Sequence, residues 1–379
     1  MIKWTEDQIE LRNSIGEWAT KLNEDFDGQS DRSNLLKMWK LVREMGILSL
    51  VIKKEYGGLE QDVLTTLYVL EAFGNHCEDS GFSFAVSSHI VSTCIPIQKF
   101  GNEIQKNKYL PDLCSGKKIG AHAISEPESG SDAWNMVTNA TRNEHGYVLN
   151  GNKTFVSNGP VADTFIVYAR TNKNAGVLGG YSAFILDKDT PGFTVGQPMK
   201  KMGLNTSVLC DIFFDDCQLG SGQLLGKEGQ GFSIFNYVMK WEVLCSFVIN
   251  VGEMQHLLTK CIEYSKSRKQ YGEPICKFQA ISHKIADMKI ALEVSRSMLY
   301  KAAIGFQQGS NITTDLAIAK VVTSENYVKS SLDALQIFGG HGYMQESGIE
   351  KYVRNSVASK IYSGTSEIQR NTIASMLGL

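Results

Sequence analysis

No two of the eight cysteines stand at C-x-x-C spacing, and none of the seven histidines belongs to an H-x-x-x-H or H-E-x-x-H string. The first absence removes zinc-ribbon and dithiol readings, the second removes the common helical metal sites, and no metal is expected. The thiols, Cys77, Cys94, Cys114, Cys210, Cys217, Cys245, Cys261 and Cys276, lie mostly in apolar stretches and read as buried free thiols in a reducing cytoplasm. Charge is nearly balanced, 38 Lys and Arg against 40 Asp and Glu, with no basic run, so nucleic acid is not an expected partner. The opening MIKWTEDQIELRN lacks the apolar core of a signal peptide, and no uninterrupted apolar run approaches bilayer length, so no membrane partner is expected either. Internal repeats and low-complexity linkers are missing. Gly220-Ser-Gly222-Gln-Leu-Leu-Gly226 is one residue too long for G-x-G-x-x-G and opens no helix directly, so it reads as a loop.

What is present falls into three textures, as a chain of 379 residues allows. Thr5 and Gln8 form a capping-box pattern ahead of Ile9, Ile15, Trp18, Ala19 and Leu22 at helical intervals. Further helices are expected from Leu35 to near Gly46, over Val63 to Phe73, and over His89 to Phe100. Residues 1–117 therefore read as a helical domain. From Ile119 the pattern changes: Gly146 to Leu149, Asn150-Gly151, then Asn152 to Ser157 suggests a hairpin with a type I′ turn. Thr164 to Arg170, Tyr181 to Asp187, Phe193 to Pro198 and Cys210 to Phe214 add strands, so residues 118–224 read as a β-domain. Helical periods return over Phe232 to Lys269, Phe278 to Gln308 and Thr313 to Phe338. At about 1.5 Å rise per residue the middle one is about 45 Å long, which suits a bundle over 225–379. Ile281, Ile285, Met288, Leu292 and Leu299 give that helix one buried face.

Two strings stand out as chemistry. The tail QIFGGHGYMQESGIEKYVRNSVASKIYSGTSEIQR, Gln336 to Arg370, holds a glycine turn and then Ser363-Gly364-Thr365 ahead of a final helix from Ser366 to Met376. Such turns bring backbone N–H groups close to an anion or a ring. The second string, Ala123-Ile-Ser-Glu-Pro-Glu-Ser-Gly-Ser-Asp132, taken alone is a polar loop leading into a sheet.

Both strings resemble signatures of the acyl-CoA dehydrogenase family of flavoproteins. Gln336, Gly339, Gly340, Gly342, Tyr343, Glu346, Lys351 and Asn355 fall at the spacing of its C-terminal signature, and 123–132 matches its other signature over ten positions. The resemblance implies an α+β multidomain fold: an N-terminal helical domain, a middle β-barrel-like or sandwich domain, and a C-terminal four-helix bundle. It implies FAD as cofactor. The implied flavin contacts are His122, Ala123, Ile124, Ser125 and Ser131, with Phe155, Val156 and Ser157 beside the ring, although Phe155 is equally compatible with a strand core. Ser131 doubles as a contact to the substrate's pantetheine arm, and Asn135 departs from the signature's small position. Arg268 and Gln279 resemble residues that reach a neighbouring subunit's FAD, and Gln336, Gly339, Gly340, Thr365, Ser366 and Glu367 complete the set. A homo-oligomer, expected as a tetramer, follows from that sharing.

Many members carry a catalytic glutamate between Tyr362 and Gly364, where this chain has Ser363. A hydroxyl does not replace a carboxylate base. Glu242 has no Lys or Arg at i±3 or i±4, only Val238, Met239, Cys245 and Ser246, which suggests a carboxylate of raised proton affinity. Its residues alone leave open a solvated or tertiary-paired glutamate. The resemblance aligns it with members such as isovaleryl-CoA dehydrogenases, which carry the base on this helix. Lys240 and Val243 stand where acyl-CoA enzymes commonly have Asp and Arg; with Trp241, Ser131, Ser363 and Gly364 they form the expected substrate set. The strings NKTFVSNGPVADTFIVYARTN, EPESGSDAWNM, WEVLC and IYSGT look most like the branch that oxidises prolyl groups on a carrier protein. The resemblance thus implies desaturation of an aminoacyl thioester on a phosphopantetheine arm, with acyl-CoA as the alternative, and O₂ or an electron-transfer flavoprotein as acceptor.

Overall fold

The fold rests on a computed structural model, which describes residues 2–24 and 31–379. The Thr5–Gln8 capping box forms, each backbone N–H bonded to the other's side chain, and opens α1 (Glu6–Glu24). Asp31 caps α2 (Arg32–Val42) and Asp62 caps α3 (Val63–His76). The next helix, α4, runs Ser80–Phe100, and α5 follows over Glu103–Cys114. Two expectations are corrected here, since α4 begins nine residues before His89 and α5 was not expected. Residues 80–89, SGFSFAVSSH, are weak helix formers without a polar face; all but Phe84 are buried, so packing overrides propensity. Within α4 a single π turn, Ile90–Cys94, precedes Pro96. The wider turn accommodates a residue with no N–H to donate.

The middle of the chain is an eight-stranded sheet: β1 (Gly120–Ala123), β2 (Asn139–Asn143), β3 (Gly146–Ser157), β4 (Thr164–Arg170), β5 (Tyr181–Asp187), β6 (Phe193–Val195), β7 (Leu209–Gly220) and β8 (Leu224–Leu225). The strands run in the order β6-β7-β3-β2-β4-β5-β8, with β1 parallel to β4. The expected turn at Asn150-Gly151 is not there. β3 passes straight through it, pairing Gly146–Asn150 with β2 and shifting register against β7 between Leu149 and Gly151. A type I′ turn needs two consecutive positive φ angles; Gly151 has one, at +135°, and Asn150 does not. Gly151 serves close approach instead, because a Cβ there would lie 2.6 Å from Thr138 Oγ1. The hairpin turn is two residues long, between Asn143 and Gly146.

The helical remainder comprises α6 (Gly231–Ser267), α7 (Gln279–Gln307), α8 (Thr313–Phe338), α9 (Glu350–Ser359) and α10 (Ser366–Met376). A short β9–β10 ribbon, Lys269–Gln270 with Glu273–Pro274, separates α6 from α7. Both α4 and α6 are long and apolar enough on average to cross a bilayer, although neither is an uninterrupted apolar run, and the apolar window of α4 is 94% buried within the protein. α6 is buried on every side from Val243 to Met254 and crosses α3 with backbones nearly touching. A Cβ on Gly252 would sit 2.2 Å from Glu71 O, and one on Gly74 2.3 Å from Ile249 O. Gly252→Ala is accordingly expected to cost about 1–3 kcal/mol, as overpacking in a rigid crossing does. A thermal melt reads this directly, and an unchanged Tm would show that the helices separate freely.

Candidate active site

Glu242 projects from α6 toward two hydroxyls. Ser363 Oγ donates to its Oε1 at 2.5 Å, and Ser92 Oγ, from the π turn of α4, donates to its Oε2 at 3.3 Å. Among the described residues no cation pairs with it. Desolvation raises its proton affinity above the ordinary carboxylate range, and the two hydroxyls pull it part of the way back. Tyr168 lies close enough for the carboxylate to disfavour its ionisation, on top of the larger effect of burial. The tail position that holds Ser363 and the carboxylate supplied by α6 are therefore in direct contact.

The turn that carries Ser363 is strained and braced. Ser363 has φ +56° and Gly364 +81°, so only the second is at ease there. Lys320 Nζ of α8 donates to Lys360 O at 3.2 Å, and Gln369 Nε2 donates to Ser363 O at 3.0 Å. Thr365 Oγ1 caps α10 by accepting from Ile368 N–H. Tyr362 packs between Phe84 and Phe247, with ring centroids 4.7 and 5.3 Å away. Because the Ser363 hydroxyl stabilises the carboxylate form of Glu242, Ser363→Ala is expected to move the acid limb of the rate profile to higher pH. A pH series of single-turnover rates measures it; an unmoved limb would separate Ser363 from the base.

The second wall is the 122–132 loop and β3. The His122 ring lies 5.2 Å from Tyr168 and parallel to Phe235 at 6.2 Å. Burial, then the nearby Lys153 charge, lowers His122 to about 4, so it stays neutral, and its Nε2 is buried without a partner. Beneath the loop Lys153 Nζ donates to Glu126 Oε1 at 2.8 Å and to Ile124 O at 3.0 Å, while Glu126 accepts from the N–H of Val137 and of Thr138. Thr154 N–H adds a bond to Ser125 O. Val156 is buried and Ser157 half-buried, whereas Phe155 is 63% exposed with φ +55°. That disposes of a strand-core role for Phe155, whose ring is held out of the core on a left-handed backbone. Ser131 is exposed, and Ile124 and Ser125 are half-buried.

A third group lies apart from these two. Arg268, Phe278, Gly339 and Gly340 line a cavity of about 350 Å³, and nothing approaches within 4 Å of where a Cβ on either glycine would be. Gln279 and Gln336 are exposed nearby in sequence, at the start of α7 and the end of α8.

Sequence profiles of the acyl-CoA dehydrogenase N-terminal, middle and C-terminal domains match residues 5–117, 121–217 and 229–378. The chain belongs to the acyl-CoA dehydrogenase family. It is 41% identical to an L-prolyl-[peptidyl-carrier protein] dehydrogenase of Serratia sp. (strain ATCC 39006), over 90% of this chain and 89% of that one. It is 38% identical to the short-chain-specific acyl-CoA dehydrogenase of Megasphaera elsdenii, over 96% and 95%. Among solved structures, a prolyl acyl carrier protein oxidase, AnaB, superposes with TM-score 0.95 at 38% identity, covering 100% of both chains. PigA with FAD and proline does so at 0.95 and 37%, covering 100% and 99%.

The residues present fit the flavin that an acyl-CoA dehydrogenase fold accommodates. They offer an exposed aromatic face at Phe155, the unpartnered His122 Nε2, and an open glycine cradle beside the Arg268 guanidinium. Of the expected substrate set, Ser363 and Gly364 adjoin Glu242, and Lys240 is half-buried without an ion pair among the described residues. Val243 is buried in the core. Trp241 packs edge-on to Phe306 and lines a separate cavity of about 290 Å³ with Lys53, Gln98, Lys99 and Tyr237. Ser366 is buried and Glu367 exposed at the start of α10. Sequence reasoning missed Ser92, Tyr168, Phe235 and the Lys153–Glu126 pair. Phe235 alone carried a signal, seven residues from Glu242 and hence on the same helix face.

Proposed function

We propose that the chain is an FAD-dependent dehydrogenase or oxidase that desaturates the α,β-bond of an acyl thioester, acting on a prolyl-type aminoacyl group held on a carrier protein. The observation that carries this reading is the hydrogen bond from Ser363 to Glu242, which sets a desolvated carboxylate against the turn that has no acid of its own. Glu242 takes the α-proton; its raised proton affinity suits a weakly acidic C–H. The Ser363 backbone N–H is the proposed donor to the charge that grows on the thioester oxygen, a role independent of its side chain. FAD, when bound, supplies the acceptor for the β-hydride.

His122 to Ser125, Ser131 and Phe155 to Ser157 are proposed to hold the flavin of their own chain. Arg268 and Gln279 are proposed to reach the cofactor across a subunit boundary, in a homo-oligomer expected to be a tetramer, and Gln336, Gly339, Gly340 and Thr365 to Glu367 to complete the cofactor set. The separation of the Arg268 cavity from the Glu242 wall supports that division. Lys240 is proposed to meet the arm's phosphate. The three-way division at 117/118 and 224/225 is kept as part of this reading. A cytoplasmic setting is supported by eight free thiols, seven of them buried.

The carrier-protein relatives at 37–41% identity support the prolyl-type substrate. An acyl-CoA substrate is the second reading, supported by the Megasphaera elsdenii relative. The test is anaerobic bleaching of the flavin by a prolyl-loaded carrier protein against butyryl-CoA. Bleaching at least about 100-fold faster with the carrier is expected; faster bleaching by butyryl-CoA would overturn the substrate assignment.

A further inference from the structure

Eleven residues beyond Glu242 on α6, a second glutamate is buried that the chemistry above does not use. Glu253 is 1% exposed and stands among Val251, Met254, Leu257 and Leu258, all core residues. Its Oε2 accepts from Asn250 Nδ2 at 3.1 Å, and Asn250 Oδ1 in turn accepts from the Tyr362 hydroxyl at 3.0 Å. Tyr362 immediately precedes Ser363. At about 100° per residue, Glu242, Ser246, Asn250 and Glu253 share one face of α6. One rigid helix therefore carries both the carboxylate and the anchor of the turn that touches it.

We propose that Glu253 is a positioning residue for proton abstraction: through Asn250 and the Tyr362 hydroxyl it fixes the 362–364 turn so that Ser363 stays on Glu242. The inference rests on the reading of Glu242 as the base. The other braces on the turn, Lys320 on Lys360 O and Gln369 on Ser363 O, hold its backbone but come from α8 and from α10 itself. The Asn250 bond ties the turn to the helix that bears Glu242 through a group other than Glu242 itself, beside the packing of Tyr362 on Phe247 of the same helix. A positive φ at Ser363 gives the turn reason to relax if that tie is cut.

A leucine of similar volume would remove the desolvation cost of this buried carboxylate, but it would also take away the acceptor that Asn250 uses. Burial raises Glu253 to about 7. Its surroundings do not neutralise it: Ser80, Tyr327 and Asn250 face it with hydrogen-bonding groups, and the Asp79 charge adds repulsion. Tyr352 and Tyr362 lie within its field, and Cys77 is buried nearby. The surrounding charges have other partners. Asp79 accepts from Thr206 and Phe82 N–H and has Lys351 and Lys201 within its field, while Glu71 of α3 is bound by Arg296 and Tyr300. Because folding raises the proton affinity of Glu253, its effect on stability worsens as pH rises from the usual carboxylate range through about 7.

The test uses the FAD-loaded enzyme and four variants: Glu253→Leu, Glu253→Gln, Tyr362→Phe and the Glu253→Leu/Tyr362→Phe double. Glu253→Leu and Tyr362→Phe are each expected to slow single-turnover reduction about 10- to 100-fold with KM little changed, and to move the acid limb to higher pH as Ser363→Ala does. The double variant is expected to be no slower than the worse single, because the two groups act in series. Glu253→Gln, which keeps an acceptor for Asn250, is expected to stay within about threefold of wild type. Thermal melts supply a readout apart from activity: Glu253→Gln gains Tm relative to wild type more at pH 8 than at pH 5. If Glu253→Leu does not fold, Tyr362→Phe and Glu253→Gln carry the test. Wild-type rates and an unmoved acid limb in Tyr362→Phe, alongside a dead Glu242→Gln, would overturn this inference alone. An active Glu242→Gln would instead overturn the base assignment beneath it.

Discussion

Glu242→Gln is expected to slow anaerobic reduction of the bound flavin by its substrate by about 100- to 10,000-fold, the usual worth of a positioned general base. The replacement is nearly isosteric. Ser363 Oγ still finds an oxygen acceptor, and Ser92 Oγ can accept from the new amide instead of donating. Fold, FAD content and thermal stability should therefore stay near wild type, which makes the rate loss attributable to chemistry. Burial dominates the raised proton affinity of Glu242, so in wild type the rate should fall as acid protonates it, at a pH above the ordinary glutamate range. The variant should lose that limb entirely. A loss smaller than about fivefold, measured by stopped-flow absorbance, would mean that another group takes the proton.

Lys153→Met is expected to give the largest loss of stability, about 3–5 kcal/mol, because it strands a buried charge. Lys153 and Glu126 are 0% and 2% exposed and 2.8 Å apart. Burial outweighs the opposing Glu126 charge and leaves Lys153 lowered to about 8, while Lys153 and two backbone N–H groups hold Glu126 below its usual range despite its own desolvation. A glutamate with lowered folded-state affinity contributes stability at neutral pH that is lost as pH falls through that lowered value. In the methionine variant the sign reverses, since an unpaired buried carboxylate gains stability by taking a proton. Urea midpoints should therefore drop sharply at pH 7.5 and recover in part toward pH 5. The Lys153→Met/Glu126→Gln double should be more stable than the single. If the single variant matches wild type at pH 7.5, water reaches this pair and the loop above it is not pinned as described. Because the pair also holds Ile124 O, weaker FAD retention should accompany the stability loss.

Legibility from sequence followed the range of the interactions. β4, β5, α8 and α10 were readable to the residue, because their alternation, helical period and caps are local. The start of α4 was not, because a Ser- and Gly-rich segment is helical only where burial on all sides makes it so. Asn150-Gly151 misled for a related reason. A dipeptide that favours a turn in isolation lost to the pairing of Asn150 with β2 and of Gly151 with β7. In the site, Glu242 and Ser363 were each suspect from what they lacked, a charged partner and an acid side chain. Their contact across 121 positions, and that of Ser92 across 150, appears only in three dimensions. Lys153 resisted reading for another reason: a lysine in a strand is ordinarily solvated, and only the fold buries it on Glu126. Phe155 shows the converse, since a phenylalanine that reads as a core residue of a strand is exposed on a left-handed backbone.

The most direct measurement is a crystal structure of the FAD-loaded enzyme with a non-oxidisable prolyl-pantetheine analogue. A Glu242 carboxylate oxygen should lie about 3–3.5 Å from the analogue's α-carbon, on the face opposite the flavin, with Ser363 still bonded to that carboxylate. An α-carbon that faces some other basic group, or a Glu242 side chain turned away from it, would contradict the account.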